Sequence, residues 1–211
     1  MASIIPDKGK LEKRLASGGL VAGVDEVGRG CLAGPVYAAA VVLDLEKLSH
    51  LSMAELSLMR DSKSLSKIQR QRILPIIEEI AISSSIGQAS VREIERLGIS
   101  AATFLAMHRA IASLQVEYHI LLIDGKMPLP DYNGRQASIV KGDNLCYSIA
   151  CASILAKEAR DGYMLKQSIR YPSYGFESHV GYGTKRHLDS IKENGICPLH
   201  RRNFSPISSM I

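Results

Sequence analysis

Apolar and polar positions along this chain repeat with two periods, and the switches between them outline the fold. Leu20 to Glu26 is a short apolar run that stops in two acids, and PVYAAAVVL, Pro35 to Leu43, is a second run beyond a glycine-rich turn. Together they predict an antiparallel hairpin. From Ser66 to Ile80, Ile68, Ile73, Ile76, Ile77 and Ile80 recur at helical spacing, with Pro75 as a break in the middle. Ile82, Ser84 and Ile86 alternate as a strand with one buried face, and ISAATFLAMHRAIASL after Gly98 predicts a helix capped near Ser100. HILLID, His119 to Asp124, reads as a buried strand ending in an acid. SIVKGD repeats the pattern at Asp143, and SIACASILAKEARDGYMLKQSI then predicts a long helix. Beyond Pro172 the character changes to a loop and a basic helix, so residues 1–170 are expected to form an α/β core and 171–211 a helical extension that contributes to substrate binding. Strands interleaved with helices imply an α/β sheet, its first two strands antiparallel and the later ones reached by helical crossovers.

Composition narrows the class. At 211 residues and 46% hydrophobic content, one well-filled core is expected and two independent domains would be cramped. Cys31, Cys146, Cys151 and Cys197 show no C-x-x-C spacing and are too sparse for a disulfide scaffold, so they read as core fillers in a reducing compartment. The opening MASIIPDKGKLEKRL carries charges where a signal peptide needs an apolar core. No segment reaches about 18 uninterrupted apolar residues, so a cytoplasmic protein without a membrane partner is expected. A net charge of +5 favours a polyanionic partner, and 5% aromatic content without Trp argues against a base-stacking platform.

The acids carry the chemistry. Three apolar runs end in carboxylates: Asp25 and Glu26, Asp124, and Asp143. Strand ends on one edge of an open α/β sheet converge on a crevice, so acids distant in sequence can meet there. Their mutual repulsion is relieved by raised pKa values or by divalent cations, and an all-oxygen set suits Mg²⁺ or Mn²⁺, two of which can clamp a phosphodiester. The competing reading makes Asp143 a helix cap and Asp124 a turn residue. Adjacent Asp25 and Glu26 resist it, because neighbouring strand residues face opposite ways and one would be costly in a sheet covered on both sides. Asp61, Asp131 and Asp161 stand apart: the first lies in a basic loop, the second beside prolines, and the third next to Arg160, where an ion pair suffices. Gly23 to Gly30 nearly spells a phosphate-binding loop, but two acids occupy the place of the phosphates. Gly28-Arg29-Gly30 instead opens main-chain N–H and C=O groups to a hydroxyl, which suits a nuclease that checks for ribose.

The segments GVDEVGRGCLAGPV, DSKSLS, LLIDG, IVKGDN, SIACASILAKEARD, YGFESHVGYGTKRH and HRRNF, in this order, resemble bacterial ribonuclease HII from about Leu20 to about Pro206. The resemblance implies a ribonuclease H-like mixed sheet flanked by helices, with a helical C-terminal extension. It implies cleavage of RNA in RNA/DNA hybrids and incision 5′ of single ribonucleotides in duplex DNA, leaving 3′-OH and 5′-phosphate ends. Carried over by position, Asp25, Glu26, Asp124 and Asp143 hold two divalent ions, Mn²⁺ or Mg²⁺. Gly28, Arg29 and Gly30 sense the ribose, and Tyr182 packs on the deoxyribose that follows. Lys63, Lys157, Lys185 and Arg186 are expected phosphate contacts on a monomeric enzyme, while His179, His187 and His200 lack metal-ligand spacing. Cys31 stands where proline is common and Val180 where lysine is common, which predicts oxidation-sensitive activity and a weaker grip on substrate. Only about two dozen residues precede Asp25, too few for the extra domain of the type III enzyme. A silent binding module would lack the acids, and a small-molecule phosphohydrolase would not need the basic tail.

Overall fold

A five-stranded mixed sheet organises the chain in a computed structural model that describes residues 8–210. The first half runs α1 (Lys10–Ala16), β1 (Val21–Val27), β2 (Val36–Leu43), α2 (Leu45–Ser49), α3 (Met53–Leu58), α4 (Lys67–Ile80) and β3 (Ala81–Ala89). Next come α5 (Val91–Leu97), α6 (Ile99–Ala112), β4 (Ile120–Asp124), β5 (Gln136–Ile139), α7 (Gly142–Leu145), α8 (Tyr147–Arg170), α9 (Phe176–His179) and α10 (Lys185–Asn194). The strand order is β3-β2-β1-β4-β5. The first three strands form an antiparallel meander, and β4 and β5 add in parallel beside β1. The opening segment read for targeting signals lies partly outside the described residues, at 1–7. Among those described, no helix is long and apolar enough to cross a membrane.

Two helical layers cover the sheet. Ala22, Val24, Ala38 and Ala40 pack against α6, while Ala39, Val41 and Leu43 pack against α4 and α8. The small residues are what permit contact this close. A Cβ at Gly23 would lie 2.4 Å from Ile149 N, so only glycine lets the start of α8 rest on β1 two residues before Asp25. All four cysteines are buried and free, as core fillers should be.

Several expectations change. On β3 the buried positions include Ser83, Gly87 and Ala89, while Ile82 and Ile86 are 45% and 41% exposed. A Cβ at Gly87 would meet Ala106 O at 2.1 Å, so the face under α6 admits only small side chains and the isoleucines fall on the open one. α6 begins at Ile99 with Gly98 as its cap, because Gly98 already closes α5, and Ser100 lies inside the first turn. α4 runs unbroken through Pro75, which is exposed, as is Gln71 whose carbonyl the proline leaves unpaired. The β4–β5 crossover, residues 125–135, holds no helix. Gln136 fastens it instead, its Oε1 accepting from Leu129 N at 2.7 Å and its Nε2 donating to Leu129 O at 3.0 Å. Finally, β5 stops at Ile139, so Asp143 is presented by the short helix α7 rather than by a strand end.

The C-terminal histidines form a neutral relay. Cys197 N–H donates to His200 Nδ1 at 2.8 Å, which leaves the His200 Nε2–H to reach His187 Nε2 at 3.1 Å. The His187 Nδ1–H then donates to Tyr182 O at 2.8 Å. His179 stacks on His187 with ring centroids 4.4 Å apart, and burial pushes His187 and His200 down to about 4. A folded-state pKa below the unfolded one favours the neutral form. The stability it contributes is therefore complete above the unfolded value of about 6.5 and is lost as pH falls toward 4. The melting temperature of the parent is expected to drop across that window relative to a His187→Gln, His200→Gln double variant. Parallel curves for the two proteins would refute this.

Candidate active site

β1 delivers Asp25 and Glu26 in succession, β4 ends at Asp124 beside it, and α7 brings Asp143 across from the other side of β4. Burial pushes the Asp25 carboxyl well up, and the charges of Glu26 and Asp124 push it further. Burial also raises Glu26, against the opposing pull of Arg29 and with Asp124 adding to the rise. Asp143 is raised by burial, then by Asp124 and Asp61. Each acid has one oxygen committed. Asp25 Oδ1 accepts from Glu26 N at 2.7 Å, Asp124 Oδ1 from Gly142 N at 2.8 Å, Asp143 Oδ1 from Asn144 Nδ2 at 3.1 Å, and Glu26 Oε1 from Arg29 at 3.3 Å. Asp124 is thus the acid that feels or is felt by each of the other three, yet no three His, Cys, Asp or Glu side chains among the described residues are drawn tightly enough to cage an ion. The fit to hard divalent cations lies in the donor set: carboxylates only, and mutual repulsion that a cation offsets.

Beside the acids lies a cleft of about 560 Å³ whose wall includes Glu26, Gly28, Arg29, Gly30, Lys63, Lys157 and Tyr182. Seven of the twelve residues singled out in the sequence therefore share one wall. Lys157 is held by Asp161 at 2.8 Å and its ammonium lies 5.9 Å from the Tyr182 ring centroid. Lys63 is exposed at the rim, its backbone N–H bonded to Asp61 at 3.0 Å. Lys185 and Arg186 are not in this wall. They occupy the exposed first turn of α10, where Arg186 pairs with Glu177 at 3.4 Å. Cys31 is fully enclosed, and burial raises its thiol, so thiolate is scarce and the expected oxidation sensitivity loses its basis. Val180 takes a left-handed conformation, φ 45°, with its carbonyl held by Arg160 at 2.9 Å.

A model of the ribonuclease HII family matches residues 22–207. Ribonuclease HII of Parasynechococcus marenigrum (strain WH8102) is 49% identical over 184 residues, 87% of this chain and 81% of that protein. The chain belongs to the ribonuclease HII family. Ribonuclease HII of Albidiferax ferrireducens is 47% identical over 194 residues, 92% of this chain and 89% of its own. Among solved structures, ribonuclease H2 from Pyrococcus horikoshii OT3 aligns with TM-score 0.75 at 22% identity, covering 90% of this chain and 96% of that one. Bst-RNase HIII in complex with Mn²⁺ aligns with TM-score 0.66 at 20% identity, covering 90% and 68%. These two likenesses show a shared fold. Membership of the ribonuclease HII family makes the chain a ribonuclease H, an endonuclease acting on the RNA of RNA/DNA hybrids.

The cleft and its surroundings also depend on residues outside the expected set. Asp161 does not pair with its neighbour Arg160; it binds Arg70 at 3.3 Å and Lys157 at 2.8 Å. Adjacent helical residues point about 100° apart, whereas the i,i+4 spacing of Lys157 and Asp161 places them together, and that signal was legible. Arg70 lines the cleft, bonded to Glu158 and to Leu65 O at 2.9 Å. Glu12 on α1 accepts from Tyr147 N at 2.9 Å and Ser148 N at 3.1 Å, capping α8, whose own cap residue offers no side-chain bond. Lys8 Nζ donates to Asp143 O at 2.6 Å. No local pattern announces these long-range partners.

Proposed function

We propose that this chain, besides cutting RNA in RNA/DNA hybrids, incises 5′ of single ribonucleotides embedded in duplex DNA and leaves 3′-OH and 5′-phosphate ends. The observation that carries this reading is the single wall joining Glu26, the Gly28-Arg29-Gly30 main chain and Tyr182. Glu26, one of the four acids, and the hydroxyl-reading loop thus face the same cleft.

In this reading Asp25, Glu26, Asp124 and Asp143 are the residues that would hold two divalent ions, Mg²⁺ or Mn²⁺, beside the scissile phosphate. When bound, such ions supply activation of the attacking water and charge relief at the leaving 3′ oxygen. The chain's own groups do the positioning. Gly28, Arg29 and Gly30 present main-chain donors and acceptors to the 2′-OH, which is the group that separates ribose from deoxyribose. Tyr182 packs on the next deoxyribose, its ring steadied by Lys157. Lys63 and Lys157 contact phosphates at the cleft, and Lys185 and Arg186 contact the duplex further along. The core, 1–170, supplies the acids, and 171–211 contributes Tyr182 and the basic helix. The protein acts as a monomer in the cytoplasm.

The test is nicking of DNA duplexes that carry one ribonucleotide or four, with Mg²⁺ or Mn²⁺. A cut on the 5′ side of the single ribonucleotide is expected with at least one of the ions, and an all-DNA duplex should stay intact. No cut at a single ribonucleotide with either ion would restrict the enzyme to hybrids. Tyr182→Ala is expected to slow junction cleavage about tenfold, a loss of roughly 1.4 kcal/mol at the transition state, with little change in melting temperature. Matching losses of stability and activity would make Tyr182 a packing residue.

A further inference from the structure

Two buried arginines lie behind the Gly28-Arg29-Gly30 loop, and neither is in an ion pair among the described residues. Both spend their guanidinium groups on main-chain carbonyls. Arg160 donates to Pro35 O at 3.0 Å, Ala33 O at 2.9 Å and Val180 O at 2.9 Å. Arg201 donates through Nε to Gly34 O at 2.9 Å, through Nη1 to Arg29 O at 2.8 Å and through Nη2 to Gly28 O at 2.7 Å. The backbone beside Arg201 is fixed to the same loop, with Arg201 N donating to Leu32 O at 2.9 Å and Gly34 N donating to Leu199 O at 2.8 Å.

The direction of these bonds has a consequence for the cleft. A trans peptide is planar, so its C=O and the following N–H point opposite ways. Turning the carbonyls of Gly28 and Arg29 inward onto Arg201 therefore turns the N–H groups of Arg29 and Gly30 outward. Both of these residues are exposed in the cleft wall, and neither amide donates to another backbone group among the described residues. Burying a guanidinium without a carboxylate is costly, and burial lowers the Arg201 side chain to about 10. Lysine would hold the charge at this point without the fork that reaches two successive carbonyls.

We propose that Arg201 is a specificity-determining positioning residue: by holding the Gly28 and Arg29 carbonyls from behind, it aims the Arg29 and Gly30 amides at the sugar hydroxyl of a ribonucleotide. This rests on reading Gly28-Arg29-Gly30 as the ribose sensor. It gives the C-terminal segment a part in substrate discrimination that is separate from any contact it makes with nucleic acid.

The experiment measures binding in an Asp25→Asn background, so that substrate stays intact, by fluorescence anisotropy with two duplexes, all-DNA and DNA with one ribonucleotide. The quantity read is the ratio of the two Kd values. Arg201→Lys is expected to reduce the preference for the ribonucleotide about fivefold, the worth of one typical hydrogen bond, while affinity for the all-DNA duplex holds. Amide exchange should quicken at Cys31 and Gly34, whose amides donate to Gly28 O at 3.4 Å and Leu199 O at 2.8 Å, and stay slow in β1 and β2. Arg201→Gln, shorter, uncharged and with an acceptor oxygen of its own against the carbonyls that Arg201 holds, should lose at least as much of the preference as the lysine variant. Preserved preference in Arg201→Lys overturns the inference, and so does an equal loss of affinity for both duplexes. Failure of both variants to fold makes Arg201 purely structural and overturns it too. If the Arg201 parent itself shows no preference for the ribonucleotide, the reading of the loop as ribose sensor fails instead.

Discussion

Asp25→Asn is expected to leave duplex binding in place and to lower kcat on the order of 10³-fold or more. Asn keeps an oxygen for the Glu26 N–H that Asp25 Oδ1 accepts at 2.7 Å, so the local backbone has no reason to move. What disappears is one of the negative charges that, in the proposed reading, suit the site to divalent cations. The same substitution should stabilise the metal-free protein. Asp25 is buried and repelled by Glu26 and Asp124, and a neutral amide removes both burdens. At about 1 kcal/mol gained, the melting temperature rises by roughly 2–4 °C in a chain of this size. Opposite movements of stability and activity are the mark of a site whose charges are kept for chemistry. A variant that nicks at the parental rate would remove Asp25 from the reaction altogether.

Gly28→Ala should have the second largest effect, and through the fold. Gly28 has φ 92°, where an L side chain is strained, and a Cβ there would lie 2.2 Å from Arg160 Nε. Arg160 cannot step aside without giving up its bonds to Pro35 O, Ala33 O and Val180 O. Backbone strain of about 1–3 kcal/mol and at least one weakened charged hydrogen bond of about 1.5–3 kcal/mol put the loss at roughly 3 kcal/mol or more. That corresponds to a fall in melting temperature of about 6–12 °C. Gly30→Ala is the matched control, because a Cβ at Gly30 enters open space. It should melt near the parent and impair cleavage alone. Equal melting temperatures for the two alanine variants would show that Arg160 yields, and the rigid backing of the loop would have to be abandoned.

The amino-acid sequence by itself determined the elements whose signal is local. The apolar runs of β1, β2 and β4, the periodicity of α4 and α8, and the acids at the ends of β1 and β4 all follow from side-chain spacing and can be read without knowing what lies across from them. Tertiary structure decided wherever a partner far along the chain sets the outcome. Burial on β3 went to Ser83, Gly87 and Ala89 because α6 comes too near for isoleucine, although Ile82 and Ile86 look like the inner face. Asp143 reaches the acids from α7, across β4, which a strand ending at Ile139 does not reveal. Arg201, beyond the last long helix, supports the loop at Gly28 through three carbonyls. Carbonyl acceptors belong to every residue alike and leave no trace in composition or periodicity, so only the folded chain could say which ones these arginines hold.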